Sequence, residues 1–390
     1  MNEIRHVQLS EIAELITKGT TPTTLGYQFQ DEGINFLKIE CFDENGNFIE
    51  DKATHISIEC HEKLKRSQLK AGDILFSIAG AIGRVAIVTE DMLPANTNQA
   101  LAIIRISDDD IYLPYIKLIL TSPIIEKQFG KKKQGVAQLN LSLKDINELS
   151  IPLPDRDSQV EYADLFSKVR VIIDQRNLEL KSLDDLVKAR FVELFGDPVS
   201  NSKGLPIATL PELGEFGRGV SKHRPRNDPN LLGGDYPLIQ TGDVAAAELY
   251  ITDYSATYSE LGLKQSKMWD KGTLCITIAA NIAKTAILTF DACFPDSVVG
   301  FMANERTSNI FIHYWFCFFQ AILESQAPES AQKNINLKIL SELKVINPSK
   351  EAQVEFESFV KQVDKSKVVV QEALDKVQLL FDSLMQEYFG

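Results

Sequence analysis

Apolar positions along this chain follow two rhythms. Short runs rich in β-branched residues, punctuated by Gly and Asn, occur in AGDILFSIAGAIGRVAIV (71–88) and KGTLCITIAANIAKTAIL (271–288). Such runs predict paired strands in two strand-rich regions. The second rhythm is a 3–4 spacing. It runs through Phe166, Val169, Ile173, Arg176, Leu180, Leu183, Val187, Arg190 and Leu194, and again through Val360, Val363, Lys367, Val370, Leu374, Val377, Phe381, Leu384 and Tyr388. Held over about four heptads, that spacing predicts a coiled-coil seam. Ser158 followed by Glu161 reads as a capping box. Gly196-Asp197-Pro198 reads as a stop. The run IFIHYWFCFFQAIL (310–323) is too short to span a bilayer and carries His313 and Gln320, so it reads as a buried amphipathic helix.

The two rhythms repeat in the same order. AQLNLSLKDINELSIPLPDRDSQ at 137–159 returns as AQKNINLKILSELKVINPSKEAQ at 331–353, and the offset of 194 holds without a gap to Gly196/Gly390. Of those 60 pairs 17 are identical, among them Gln159/Gln353 and Phe195/Phe389. The strand-rich cores match at an offset of 200 instead, so the segment between core and repeated tail varies in length. A duplication of this extent predicts two copies of one architecture.

The expected fold class is α+β: two strand-rich globular domains, 1–157 and 198–350, each followed by a long spacer helix, 158–197 and 351–390. A helix of roughly 37 residues is about 55 Å long, longer than the roughly 40 Å diameter of such a domain. A parallel pair would force the second domain to carry the chain back that distance. An antiparallel two-helix rod with pseudo-two-fold symmetry is therefore expected.

Composition adds little to this picture, with 44% hydrophobic and 24% charged residues. The five cysteines fall in no paired spacing, which suits a reduced, cytoplasmic setting, and the N-terminus shows no signal pattern. Cys41, His55, Cys60 and His61 lack the spacing of a zinc site. Charge matters more. The net charge is −13, which taken alone argues against nucleic acid. Basic residues nevertheless cluster at Lys131-Lys132-Lys133, at Lys63/Lys65/Arg66 and along Lys222-His223-Arg224-Pro225-Arg226.

Catalytic signatures are missing. There is no phosphate-cradling G-x-x-x-x-G-K-[ST] loop, and Gly217-Arg218-Gly219 lacks the context of a dinucleotide site. Asn347-Pro348 is followed by Ser349, so no Asn-Pro-Pro-aromatic motif of amino-methyltransferases occurs. Asp73 and Glu40 read as solvated or capping carboxylates. What is left is a spacer with two related heads that differ in their loops, which suits a target with two half-sites.

The chain resembles the specificity (S) subunit of type I restriction–modification systems over essentially its full length. The likeness rests on GDILFSIAGAIGRVAIV with PANTNQALAIIR, on HRPRNDPNLLGGDYPLIQTGDV with FPDSVVGF, and on the repeated tail closing on ARFVELFGDP and LFDSLMQEYFG. Against that pattern, the chain begins almost inside its first target-recognition domain. The resemblance implies a non-catalytic subunit without a cofactor of its own. Each target-recognition domain would read half of a bipartite, asymmetric site on double-stranded DNA, and the rod would set the gap. Two methyltransferase (M) subunits would dock on the rod and bring S-adenosylmethionine, and restriction (R) subunits would bring ATP and Mg. No membrane is involved.

Base readout needs Arg, Lys, Asn, Gln, Ser or Thr at base edges. In the first head the candidates are Thr20, Thr21, Arg84, Lys131, Lys132, Lys133, Gln134 and Gln138. In the second they are Ser221, Lys222, Arg224, Arg226, Lys284, Lys333 and Asn334. Bland alternatives stand beside them. The lysine run also fits a solvated face, Gln138/Gln332 and Asn140/Asn334 also fit a capped turn, and Arg84 and Lys284, which match across the heads, suit phosphate positioning. On the seam, Arg176, Arg190 and Lys367 read as snorkelling at a rod edge. A protein-binding coiled-coil scaffold is the competing function.

Overall fold

The computed structural model describes residues 4–130, 140–223, 225–279, 282–326 and 335–389. The chain divides into two compact units, Met1–Arg176 with Ala373–Gly390, and Asn177–Glu372.

In the first unit β1 (Arg5–Gln8), β2 (Leu15–Lys18), β3 (Ile34–Leu37), β4 (Thr54–Ile56), β5 (Ile74–Ser77), β6 (Val85–Ile87), β7 (Ala95–Thr97), β8 (Leu101–Arg105) and β9 (Ser150–Leu153) form three sheets. Their orders are β1-β9, β2-β8-β5-β6 and β4-β3-β7, the last with β3 and β7 parallel. Strand β5 is buried along its whole length because both of its faces are covered. Ile74 and Phe76 face one core with Ile104, Tyr115 and Phe166, whereas Leu75 faces a second core with Phe42 and Ile103. That is why its sequence is a continuous apolar run rather than an alternation.

In the second unit the strands are β10 (Ile207–Thr209), β11 (Gly214–Arg218), β12 (Leu232–Leu238), β13 (Tyr250–Ile251), β14 (Ala256–Tyr258), β15 (Met268–Trp269), β16 (Leu274–Thr277), β17 (Thr285–Leu288), β18 (Ala292–Cys293), β19 (Val298–Ala303) and β20 (Lys344–Ile346). Sheet orders β10-β20, β11-β19-β16-β17-β13 and β14-β12-β18-β15 repeat those of the first unit, with β13 and β15 added at edges. Ile74 pairs with Ile104 in the first unit as Leu274 pairs with Phe301 in the second. The greasy run lies within a helix, Asn309–Gln326, and residues 310–316 are buried. Among the described residues no helix is long and apolar enough to cross a membrane.

Two helices of 40 residues, Arg156–Phe195 and Lys350–Phe389, follow the sheets. They start where an acceptor meets the free N–H groups of the first turn. Asp155 accepts from Ser158 N at 2.9 Å, and Ser349 Oγ accepts from Ala352 N at 3.3 Å. The cap is thus Asp155 rather than Ser158, three residues earlier than the sequence pattern suggested.

The duplicated glutamine pins each helix start to its own unit. Gln159 Nε2 donates to Pro154 O at 3.0 Å and to Asp110 O at 3.3 Å, and its Oε1 accepts from Tyr112 N at 2.9 Å. Gln353 does the same with Pro348 O, Arg306 O and Thr307 Oγ1 at 3.1, 3.0 and 3.2 Å.

Helix segments pair inside each unit. In the first, Phe166 packs on Phe381 and Phe389, and Tyr162 packs on Tyr388 with centroids 4.6 Å apart. In the second, Phe191 and Phe195 pack on Phe356 and Phe311. Low numbers in one helix meet high numbers in the other in both cases, an antiparallel arrangement. Val169, Ile173, Val187, Val360, Val363, Val370 and Phe381 of the seam are buried.

Two of its basic residues do not snorkel. Lys367 donates to Asp184 and, at 2.9 Å, to Glu248. Arg190 bridges Glu193 at 2.7 Å and Glu355 at 2.6 Å.

Asp73 is likewise not solvated. It is fully buried and takes two 2.7 Å bonds from Arg105 besides one of 2.8 Å from Lys70 N. In the second unit Thr273 and Met302 hold the same ladder positions, with no ion pair between them.

Candidate nucleic-acid interface

Each unit brings its differing loop to the end of a strand by the same device. A Cβ on Gly19 would lie 2.1 Å from Thr97 O, and one on Gly219 would lie 2.2 Å from Phe294 O. Only glycine allows this approach, and it anchors the loop that follows. In the first unit Thr20 N donates to Thr97 O at 3.0 Å, and Thr21 Oγ1 donates to Gln99 Oε1. Both threonines are half-buried. Arg66 of the basic cluster reaches the same strand, its Nε donating to Thr17 Oγ1 at 2.8 Å. Lys63 and Lys65 are exposed beside it.

In the second unit Gln265 Oε1 accepts from Lys222 N at 2.7 Å and His223 N at 3.0 Å, which fixes the loop backbone and leaves the Lys222 side chain exposed. Ser221 is buried. Arg226 is tied to Asp296, whose backbone carbonyl also accepts from Arg218 Nε at 2.9 Å. Asp228 accepts from Asn230 N and from His223, and those bonds hold its carboxyl below the usual range.

The matched pair Arg84 and Lys284 closes the same turn in both units. Ser77 N donates to Arg84 O and Thr277 N donates to Lys284 O, each at 2.9 Å. Both side chains line clefts walled by strand turn and helices. In the first unit the cleft is about 710 Å³ and includes Lys117, Ser167 and Arg170. In the second it is about 220 Å³ and includes Lys188, His313, Cys317 and Lys367. Burial pushes His313 down to about 4 and the Cys317 thiol up to about 11. Neither group is therefore primed for chemistry near neutrality.

Among the described residues no cluster of His, Cys, Asp or Glu could hold a metal ion. Lys131, Lys132, Lys133, Gln134, Gln138, Arg224, Lys333 and Asn334 lie outside the described residues.

Sequence reasoning missed Gln99, Gln265, Lys117 and Arg170. Gln99 and Gln265 carried no signal, because each becomes a loop partner only through folding. The pair Lys117 and Arg170 was findable only by knowing which helix faces the hairpin.

A family model, type I restriction modification DNA specificity domain, matches residues 1–182 and 208–377. The chain is 32% identical over 170 residues to the type I restriction enzyme EcoBI specificity subunit of Escherichia coli, a match covering 42% of this chain and 35% of that one. It is 24% identical over 399 aligned positions to a Methanocaldococcus jannaschii chain assigned to the type I restriction enzyme MjaX specificity subunit, covering 96% and 91%. Among solved structures, a chain from a study of complex assembly and conformational transition of the type I R-M system superposes with a TM-score of 0.60. Its sequence is 17% identical, and the superposition covers 99% of this chain and 97% of that one.

Proposed function

Because this chain belongs to the type I restriction modification DNA specificity domain family, we propose that it is the DNA-reading specificity subunit of a type I restriction–modification complex. The observation that carries this reading is the doubled unit: two heads share one sheet order but present different loops at Gly19 and Gly219. One scaffold with two loop sets suits two different half-sites on a duplex. The helices would form an antiparallel rod that sets the distance between half-sites and carries the methyltransferase subunits.

The outer helix faces support such docking. Val171, Ile172, Leu379 and Leu380 are exposed in the first unit, as are Leu178, Leu186, Val368 and Val369 in the second. Apolar rows left in water on a charged helix mark a protein contact. Methyltransferase subunits would supply S-adenosylmethionine and restriction subunits ATP and Mg. Those partners would also supply phosphate contacts that a chain of net charge −13 lacks.

The test is single-molecule methylation sequencing of DNA from cells carrying this chain with a partner methyltransferase, against the methyltransferase alone. A bipartite adenine motif present only with this chain is the expected result. Exchanging residues 1–158 should then change one half of the motif. Unchanged methylation from an assembled complex overturns the reading in favour of a protein-binding scaffold.

A further inference from the structure

The cleft of the first unit holds three cations without a carboxylate partner. Arg84 is half-buried and spends one of its N–H groups on Phe42 O at 3.3 Å. Lys117, also half-buried, spends one on Asn45 O at 2.6 Å. Arg170 lies over the Phe381 ring, 5.1 Å from its centroid. Among the described residues no carboxylate reaches ion-pair distance of any of the three.

Nearby acids are engaged by amides instead. Asp43 accepts from Asn45 N, Asn47 N and Asn47 Nδ2 at 2.8–2.9 Å, and Asp174 accepts from Asn45 Nδ2 at 3.1 Å. Glu44 stands at the exposed rim. Burial holds the Lys117 ammonium below the usual lysine range, Asp43 opposes this, and Arg170 adds to it. A half-buried ammonium with no carboxylate in contact is costly, and a bound anion would offset the cost.

The second unit supplies the comparison. In the register set by Tyr115 on Phe389 and Phe311 on Phe195, Lys117, Leu118 and Thr121 on the wall of the first cleft correspond to His313, Tyr314 and Cys317 on the wall of the second. There the cation contributed by the helix, Lys367, is already neutralised by Asp184 and Glu248, and the space shrinks to about 220 Å³. The second cleft holds Lys367 against two carboxylates in contact, whereas in the first the acids stay beyond ion-pair distance of Arg84, Lys117 and Arg170.

We propose that the first unit's cleft is a binding site for a phosphate-bearing ligand and that the second unit's cleft is not. Guanidinium and ammonium groups together match phosphate oxygens better than they match a single carboxylate. A volume of about 710 Å³ has the size of a small-molecule pocket. Ser167 offers a hydroxyl, while Ile82 and Leu118 give it an apolar wall. The phosphate has two sources, a free nucleotide or the DNA backbone. The proposal does not rest on the DNA-reading role.

Calorimetric titration of the full chain with inorganic pyrophosphate and with ATP tests it. Saturable binding at one site per chain is expected, weakened about tenfold in Lys117→Met and in Arg170→Met. Arg170 is exposed, so its variant reports on binding without threatening the fold. Lys188→Met, in the second cleft, should bind like the parent. Displacement of pyrophosphate by duplex DNA assigns the site to backbone phosphate, and retention assigns it to a free ligand. Absence of saturable binding overturns the proposal, as does binding unchanged in Arg170→Met or lost equally in Lys188→Met.

Discussion

Asp73 and His313 are the buried polar side chains whose environments have the plainest energetic consequences. Asp73 sits in a dry core with Arg105 as its ionic partner. Removing one member strands the other, so Asp73→Ala should cost about 3 kcal/mol in urea unfolding. Asp73→Thr with Arg105→Met writes the second unit's Thr273 and Met302 into the first. That double variant should recover most of the loss, because no uncompensated charge remains. His313 makes the opposite case, a group kept neutral. It shares a 2.9 Å bond with Thr285 Oγ1 and is held at about 4 by burial, then by Lys367. Its unfolded value is about 6.5. The unfolded chain therefore takes up the proton first as pH falls. The contribution, up to about 3 kcal/mol, is complete above pH ~6.5 and is lost progressively toward pH ~4. Thermal melts between pH 7.5 and 4.5 should fall more steeply for the parent than for His313→Gln. In the sequence His313 was visible as a polar residue in a greasy helix. The Asp73 pair was not, because partners 32 residues apart meet only once the β5–β8 register is known.

Elements were legible in proportion to the strength of their period. Both long helices announced themselves because a 3–4 spacing held over many turns leaves few other solutions. Their first residues were misjudged because Asp155 and Ser158 are both good caps, and only the bond between them shows which one acts. The parallel pairing of β3 with β7 was hidden, since Asn35 meets Ala95 across 60 residues with no local signal. The duplicated glutamine was obvious as an identity and opaque as a function. Its role appears only with the carbonyls of Pro154 and Pro348 in place. Gln353 is fully buried, so Gln353→Met should leave the Arg306 and Pro348 carbonyls and the Thr307 hydroxyl without this partner. A loss of about 2 kcal/mol in urea titration is expected. Gln159→Met should behave alike in the other unit. The loop residues that anchor Thr21 and Lys222, by contrast, had no period to betray them.

At the scale of the whole molecule the duplication was readable, but the way the chain shares itself between units was not. Phe195 and Phe389 are the same residue of the repeat. Phe195 closes the core of the second unit with Phe311 and Phe356, and Phe389 closes the core of the first with Tyr115 and Phe166. A chain ending at Glu372 should therefore damage the unit farthest from the cut in sequence. Hydrogen exchange should quicken in β5, β8 and the Leu113–Leu120 helix while β16 and β19 keep their protection. Equal loss in both sets of strands would contradict this division.

This sharing also bears on the order of events at the ribosome. Domains usually fold from the N-terminus as they emerge. Here residues 177–372, the whole of the second unit, are available before Phe381, Met385 and Phe389, which the first unit needs for its core. The part of the protein translated first is thus the part finished last. A message broken between the codons for Glu372 and Phe381 yields a chain whose first unit stays incomplete, marked for chaperones and proteases however sound its second unit.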